Sequence, residues 1–167
     1  MNFPKTADQE MYMGLVFEMC HGSLEEILHK KKLALSHVDK VIIAQEVMNG
    51  VGYLHSMGII HRDLSTENIL LGADGHLRVA DFGCARKMPK EGEYMSSTIS
   101  GSPAYMPPEQ IQGNGLTLKV DVWAIGVMLW EILTQRFPWA EYSSDFKVGG
   151  VEGLNTIKEV LVERKCQ

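Results

Sequence analysis

Two short motifs in the middle of the chain carry residues suited to chemistry. Residues 61–68 read His-Arg-Asp-Leu-Ser-Thr-Glu-Asn, and residues 81–83 read Asp-Phe-Gly. Carboxylate and amide oxygens are the hard ligands that Mg²⁺ prefers, and a carboxylate can also orient a hydroxyl group and accept its proton. Asp63, Asn68 and Asp81 are therefore candidates for the proton-accepting and metal-binding groups of an active site.

The order and separation of the two motifs resemble the catalytic loop and the metal-binding loop of eukaryotic protein kinases. The resemblance implies that Asp63 is the general base and that Asn68 and Asp81 bind Mg²⁺ against the phosphates of ATP. It further implies that the γ-phosphate is transferred to protein substrates. The supporting members of the two motifs are His61, Arg62, Phe82 and Gly83.

The composition excludes several other classes of protein. The chain has 167 residues, 45% hydrophobic and 22% charged, which is typical of a globular protein with one core. A net charge of −5 predicts no nucleic-acid binding. The 3 widely spaced cysteines argue against a disulfide framework, and we see no signal peptide, so we expect a cytoplasmic protein. The longest apolar run, Val122–Trp130, is too short to span a bilayer.

The first part of the chain resembles the last strand of a kinase small lobe and the hinge that follows it. The apolar run Met13–Glu18 predicts a buried strand, with Phe17 at the gatekeeper position. The resemblance implies that Glu18 and Cys20 present backbone groups to adenine and that Leu70 lies beneath it. A generic strand and turn fits the segment almost as well, and that alternative stays open.

Helices and a hairpin are predicted on either side of the first motif. Ser23–Glu26 has a capping-box pattern, and Ser36 with Asp39 begins a second helix that ends at Gly58. Residues 69–79 predict a β-hairpin with a glycine-containing turn, which would hold Asp63 and Asp81 near one phosphate group. The apolar stripe of the second helix, predicted to face the core, is Val38, Val41, Ile42, Gln45, Met48, Val51 and Leu54.

The polar segment Cys84–Ser100 resembles an activation loop. Its candidate phosphorylation sites are Ser96, Ser97 and Thr98. A phosphate there could pair with Arg62 and order the loop. An unmodified loop is the alternative.

The segment 101–109 resembles the kinase segment that ends in A-P-E, with Pro107 in place of the Ala and Glu109 as its last residue. Its Gly-Ser-x-x-Tyr-Met opening is similar to that of Ser/Thr kinases, in which the hydroxyl matching Ser102 contacts the catalytic Asp. We therefore expect Ser/Thr substrates.

The helix predicted over Asp121–Glu131 is apolar on every face, which is typical of a buried helix. Asp121 matches a kinase Asp that bonds the backbone of the catalytic loop, and a simple helix cap is the rival role. The pattern Asp-Val-Trp-x-x-Gly-Val-x-Leu-Trp-Glu favours the tyrosine-kinase-like group of Ser/Thr kinases. A further helix is predicted over Asn155–Lys165.

The predicted fold is mainly α with a small β-hairpin (α+β), a kinase-like large lobe whose small lobe is almost entirely absent. No G-x-G-x-x-G loop and no V-A-I-K lysine precede residue 13. We expect one partial domain over residues 1–167, with the last small-lobe strand and hinge at 13–22 and a large lobe, truncated at its C-terminus, at 23–167.

One departure from the kinase pattern bears on activity. Ser65 stands where Ser/Thr kinases usually carry a Lys that meets the transferring phosphate. General-base assistance is worth only about 10²–10⁴-fold, so Asp63 cannot replace a missing phosphate clamp, and we expect the isolated chain to be inactive. Two functions stay open: a Ser/Thr protein kinase that uses ATP and Mg²⁺, and a pseudokinase-like binding or regulatory module without catalysis.

Overall fold

A computed structural model describes residues 14–31, 33–88 and 100–140. Over these ranges the chain is helix-rich with a few short strands, which confirms the mixed α and β class. Short 3₁₀ turns lie at Thr66–Asn68, Phe82–Cys84 and Pro103–Tyr105. The other elements are β1 (Cys20–Ser23), a π-helical turn (Glu26–Lys30), α1 (His37–Ser56), β2 (Ile59–Ile60), β3 (Ile69–Gly72), β4 (Leu77–Val79), β5 (Arg86–Lys87), α2 (Pro108–Ile111) and α3 (Lys119–Thr134).

The strands place the two motifs beside each other. β1, β3 and β4 form an antiparallel sheet in the order β1-β3-β4, and β2 pairs with β5. β3 and β4 are the predicted hairpin, with Ile69 opposite Val79. Its turn contains Gly75 at φ +84°, a left-handed conformation that suits glycine. Because β3 begins immediately after Asn68 and β4 ends just before Asp81, the hairpin brings both motifs to one end of the sheet.

The strand predicted over Met13–Glu18 is wrong over residues 14–18, and Met13 lies outside the described residues. Residues 14–19 have no regular secondary structure. Val16 is 98% exposed and Phe17 is 80% exposed. An apolar run forms a strand only where a neighbour satisfies its backbone groups. β3 offers that edge from Cys20 onward, so the strand forms there instead.

The helix starts predicted at Ser23 and Ser36 are confirmed. Ser23 Oγ accepts a hydrogen bond from the backbone N–H of Glu26 at 3.2 Å. Ser36 Oγ accepts from the N–H of Asp39, whose carboxylate accepts in turn from the N–H of Ser36, a complete capping box. At the other end of α1, Gly58 has φ +68° and ends the helix as predicted.

The predicted core face of α1 is wrong. Val38 is 66% exposed and Val41 is 55% exposed, whereas Val47 and Val51 are each 1% exposed. Val51 is the only member of the predicted stripe that is fully buried. Apolar residues lie around the whole circumference of α1, so two faces satisfy a spacing of three and four residues. Packing against α3 and β4 selects the face with Val47 and Val51.

Burial of α3 on every face is likewise not observed among the described residues. Val122 is 57% exposed and Leu133 is 54% exposed. Trp123 and Trp130 line an apolar groove of about 430 Å³ on this side of the helix. The buried face of α3 consists of Val120, Asp121, Ala124, Met128, Glu131 and Ile132.

No helix in the described ranges is long and apolar enough to cross a bilayer. A buried apolar core lies between the first turn, α1, the hairpin and α3. Its buried members are Leu24, Leu28, Val47, Val51, Leu64, Ile69, Ala124, Met128 and Ile132.

Glu46 fastens α1 to the hairpin. Its carboxylate accepts a hydrogen bond from the ring Nδ1 of His76 at 2.7 Å and another from the N–H of Leu77 at 2.7 Å. The hydrogen bond from His76 lowers the pKa of Glu46, and the same bond raises the pKa of His76. Each charge is therefore more stable in the folded state than in the unfolded chain.

We expect this pair to stabilise the fold most between pH 4.5 and pH 6.5, the ordinary pKa values of the two groups. Below that window the contribution is lost as the pH falls through the lowered pKa of Glu46. Above that window, the stabilisation that comes from the protonated ring of His76 is lost as the pH rises through the raised pKa of His76. Denaturant unfolding of the wild type and of His76→Gln, measured from below pH 4.5 to above pH 6.5, checks the prediction. A stability difference that does not change with pH would contradict it.

Candidate active site

The loop 61–68 is anchored by a buried carboxylate of α3. Asp121, 1% exposed, accepts hydrogen bonds from the backbone N–H groups of His61 and Arg62, each at 2.9 Å. The ring Nε2 of His55 lies 2.8 Å from the same carboxylate. The N-cap residue of α3 is Leu118, and among the described residues the hydrogen bonds to the Asp121 carboxylate come from the loop and from His55, so Asp121 acts on the loop and does not cap the helix. Three donors satisfy a carboxylate that would otherwise be costly to bury.

The backbone of Arg62 is left-handed, with φ +71°, which is uncommon for a residue with a side chain. Buried Gln110 donates from Nε2 to the carbonyl oxygen of Arg62 at 3.2 Å and to that of Ser100 at 2.8 Å. The guanidinium Nη2 of Arg62 donates to Ser100 Oγ at 3.2 Å. A Cβ at Gly101 would lie 2.7 Å from the Arg62 carbonyl oxygen, so only glycine allows this approach. These contacts hold residues 100–102 against the loop.

Asp63 is held through both its backbone and its side chain. Its Oδ1 accepts from the N–H and from the hydroxyl of Ser102, each at 2.8 Å. Its carbonyl oxygen accepts from Asn68 Nδ2 at 2.8 Å. The carboxylate is therefore fixed in direction, with Oδ2 left as the oxygen that can meet another group.

The ring of His61 links the two motifs. Its Nδ1 lies 3.4 Å from the backbone N–H of Asp63, and its Nε2 lies 3.0 Å from the carbonyl oxygen of Ala80. Both contacts are satisfied when Nδ1 accepts and Nε2 carries the proton. The ring also lies 5.2 Å from the ring of Phe82, between centroids. Buried His61 thus ties the loop that holds Asp63 to the residue before Asp81.

A cleft of about 810 Å³ lies between residues 17–20 and the hairpin. This volume is within the range of small-molecule sites. Asp63 is not in its lining and borders a separate small cavity, but Asn68, which is in the lining, donates a hydrogen bond to the carbonyl oxygen of Asp63. The cleft brings together the residues assigned above to nucleotide and metal: Glu18, Cys20, Asn68, Leu70 and Asp81.

The side-chain oxygens of Asn68 and Asp81 are suitable ligands for Mg²⁺. Asn68 uses its amide nitrogen toward Asp63, which leaves its amide oxygen as a ligand. Asp81 has φ +57°, and its Oδ1 accepts from the N–H of Gly83 at 3.1 Å. In the described ranges no group of three His, Cys, Asp or Glu residues could hold a metal. Two oxygen ligands fit Mg²⁺, which usually keeps several waters and substrate phosphates.

The charge in this cleft is mainly negative. Glu18, Glu67 and Asp81 lie in its lining, and Arg78 is the one basic residue there among the described residues. Arg78 already contacts Asp74, with Nη2 to Oδ2 at 2.7 Å, and Glu18, with Nε to Oε2 at 3.4 Å. The described part of the cleft therefore offers little positive charge to a polyphosphate.

Sequence analysis missed a buried polar cluster behind Ser102. Glu131, 0% exposed, accepts a hydrogen bond from the hydroxyl of Tyr105 to Oε2 at 2.6 Å. Its Oε1 lies 2.7 Å from His29 Nε2 and accepts from the hydroxyl of Thr66 at 3.2 Å. Burial raises the pKa of Glu131 and that of Tyr105. The signal that could have revealed the cluster is a lone carboxylate within an apolar helix, because a buried carboxylate needs partners.

Of the remaining assigned residues, Glu109 is the one within the described ranges. Glu109 is half-buried in α2 and forms no ion pair with any residue of the described ranges. The candidate phosphorylation sites 96–98 and the helix predicted at 155–165 lie outside the described residues.

Known proteins are similar to this chain in sequence. The protein kinase domain family matches residues 1–165. The chain is 36% identical over 134 residues to the serine/threonine-protein kinase pakA of Dictyostelium discoideum, covering 80% of this chain and 11% of that protein. It is 39% identical over 131 residues to the mitogen-activated protein kinase kinase mkk2 of Aspergillus fumigatus, covering 76% and 26%.

The fold has a solved counterpart as well. A chain in the crystal structure of the yeast RNA Pol II CTD kinase CTDK-1 complex is similar, with a TM-score of 0.70 and 28% identity, over 86% of this chain and 45% of that one. The present chain thus spans less than half the length of each of these three proteins. It belongs to the protein kinase domain family, and its relative pakA is named a serine/threonine-protein kinase.

Proposed function

We propose that this site transfers the γ-phosphate of ATP, in the presence of Mg²⁺, to Ser and Thr hydroxyls of proteins. The observation that carries the proposal is the cleft of about 810 Å³, because its lining joins Leu70 and the 18–20 segment to Asn68 and Asp81. An apolar floor and two oxygen ligands on one surface suit a nucleotide and its metal. The name of the relative pakA, a serine/threonine-protein kinase, supports the choice of substrate.

Asp63 is the proposed general base. Since Ser102 occupies Oδ1, Oδ2 faces the substrate hydroxyl. As the hydroxyl oxygen bonds to the γ-phosphorus, the bond to ADP breaks and the hydroxyl proton passes to Asp63. Asn68 and Asp81 would hold Mg²⁺, which neutralises phosphate charge when bound. Glu18 and Cys20 would present backbone groups to adenine above Leu70.

The supporting residues act on this geometry. Asp121 and His61 hold the loop, the N–H of Gly83 bonds to Asp81 in its turn, and the ring of Phe82 lies against that of His61. A phosphate on Ser96, Ser97 or Thr98 would pair with Arg62, whose Nη2 already reaches Ser100. We propose that the protein belongs to the tyrosine-kinase-like group, because the amino-acid sequence of α3 has the pattern of that group. A cytoplasmic location is in keeping with the free thiols of Cys20 and Cys84.

A binding or regulatory module without catalysis is the second candidate. The acidic lining of the cleft favours it, because Arg78, the one cation that lines it among the described residues, is already engaged by Asp74 and Glu18. Ser65 favours it too, since its buried hydroxyl brings no positive charge near the phosphate.

Nucleotide binding and phosphate transfer by the full chain separate these functions. We expect ATP to bind more tightly with Mg²⁺ than without, and Asp81→Asn to weaken the Mg²⁺-dependent part by about tenfold, the effect of losing one charged interaction of about 1.4 kcal/mol. Asp39→Asn, in the exposed capping box of α1, is the matched control. Labelled phosphate should appear on Ser/Thr peptides and not on Tyr peptides. ATP binding without phosphate transfer would support the second candidate. If the chain shows no ATP binding and no transfer, the proposed catalysis is contradicted.

A further inference from the structure

The π-helical turn Glu26–Lys30 carries a histidine that none of the roles above uses. The turn is closed by the N–H of Lys31 on the carbonyl oxygen of Glu26 at 2.8 Å. π turns inside helices are often found at functional sites. The side chain of His29 is only 8% exposed. Its ring stacks on Phe137, with centroids 3.7 Å and planes 17° apart, and its Nε2 lies 2.7 Å from Glu131 Oε1.

Glu131 extends this contact to the site. The hydroxyl of Tyr105 donates to its Oε2 at 2.6 Å and lies 3.1 Å from the hydroxyl of Thr66. Tyr105 ends the 3₁₀ turn that follows Ser102, and its N–H donates to the Ser102 carbonyl oxygen at 3.0 Å. Thr66 belongs to the same loop as Asp63. One buried carboxylate thus holds the turn that carries Ser102 and the loop that carries Asp63.

We propose that His29 is a positioning residue that, through Glu131 and Tyr105, holds Ser102 against Asp63. Without His29, the only remaining donor to Oε1 of Glu131 in the described part of the chain would be the hydroxyl of Thr66, at 3.2 Å. A buried carboxylate oxygen that loses a donor is costly, so the side chain rotates toward another donor or takes up a proton. Either response alters the bonds to Tyr105 and Thr66. The turn would then no longer be fixed on Asp63.

Three variants separate the hydrogen bond from the packing. His29→Leu removes the donor, whereas His29→Gln keeps an N–H donor of similar reach. Phe137→Leu removes the ring that stacks on His29 and leaves the donor in place. If the hydrogen bond is what matters, only His29→Leu changes the contact between Ser102 and Asp63.

The first readout needs neither nucleotide nor activity. The backbone N–H of Ser102 donates to Asp63 Oδ1 at 2.8 Å, so its hydrogen exchange reports on this contact. We expect His29→Leu to speed exchange at Ser102 by about tenfold, the equivalent of about 1.4 kcal/mol, and the other two variants to stay within about threefold. The amide of Val51, in the core of α1, should not change. Equal acceleration of exchange at Val51 would overturn the proposal, because His29 would then stabilise the fold as a whole. No acceleration at Ser102 would overturn it too, because His29 would then not affect the contact with Asp63.

The second readout, and only this one, rests on the proposed function. Where the wild type phosphorylates a Ser/Thr peptide, His29→Leu should lower kcat/KM for the peptide by about tenfold, with the KM for ATP unchanged and His29→Gln near the wild type. An effect on the KM for ATP alone would overturn the inference. A wild type that transfers no phosphate would contradict the proposed function and would leave the Ser102 exchange test decisive for His29.

Discussion

Asp63→Asn is expected to lower the rate of phosphate transfer to a Ser/Thr peptide by about 10²–10⁴-fold, the usual worth of a positioned general base. The substitution keeps an oxygen that can accept both hydrogen bonds from Ser102. It also leaves unchanged the carbonyl oxygen that accepts from Asn68. The loop should therefore keep its shape while losing the group that takes the proton.

Labelled phosphate transfer, with nucleotide affinity measured in parallel, tests this prediction. Nucleotide affinity should stay near that of the wild type, because Asp63 is not in the lining of the cleft. Asp39→Asn makes the same chemical change in the exposed capping box of α1 and should not affect the rate. A transfer rate for Asp63→Asn close to that of the wild type would remove Asp63 from the mechanism.

Local features of this fold were predictable from the sequence. The hairpin follows from two apolar runs around a turn with Gly75, and the start of α1 follows from Ser36 and Asp39. These depend on hydrogen bonds between residues close in the chain, which a short pattern specifies almost completely. The two motifs fall on either side of the hairpin for the same reason.

Features that depend on distant contacts were not predictable in this way. α1 and α3 carry apolar residues on several faces, and only packing between them decides that Val47 and Met128 are buried while Val38 and Val122 are exposed. The segment 14–18 has the composition of a strand but no neighbouring strand among the described residues.

In the candidate site, too, residues in local motifs were predictable and residues brought in by tertiary contacts were not. Resemblance was enough to nominate Asn68, Leu70 and Asp81, which the hairpin brings to one cleft. It did not nominate His29, which lies far from the motifs in the chain and reaches Glu131 only through tertiary packing. Glu131 itself was visible as a carboxylate within an apolar helix, but its partners depend on how the turn and the loop pack against α3.

Asp121→Ala is expected to lower the free energy of unfolding by about 3–5 kcal/mol, the cost of breaking a buried charged contact. The substitution leaves the backbone N–H groups of His61 and Arg62 buried without their acceptor, and each such group costs about 1–3 kcal/mol. It also frees the ring of His55, which sits 2.8 Å from the carboxylate. Denaturant unfolding measures the loss, and Asp39→Ala in the exposed capping box of α1 is the matched control with a much smaller effect.

Asp121→Ala should destabilise the backbone most at Arg62, where the backbone conformation is strained. Arg62 has φ +71°, a conformation that persists in a residue with a side chain only when its surroundings enforce it. Asp121 fixes its N–H and Gln110 its carbonyl oxygen, so removing Asp121 leaves the peptide held from one side. We therefore expect amide exchange at His61 and Arg62 to rise more than at Val51. A uniform rise across the core would show that Asp121 stabilises the fold as a whole and does not hold this loop in particular.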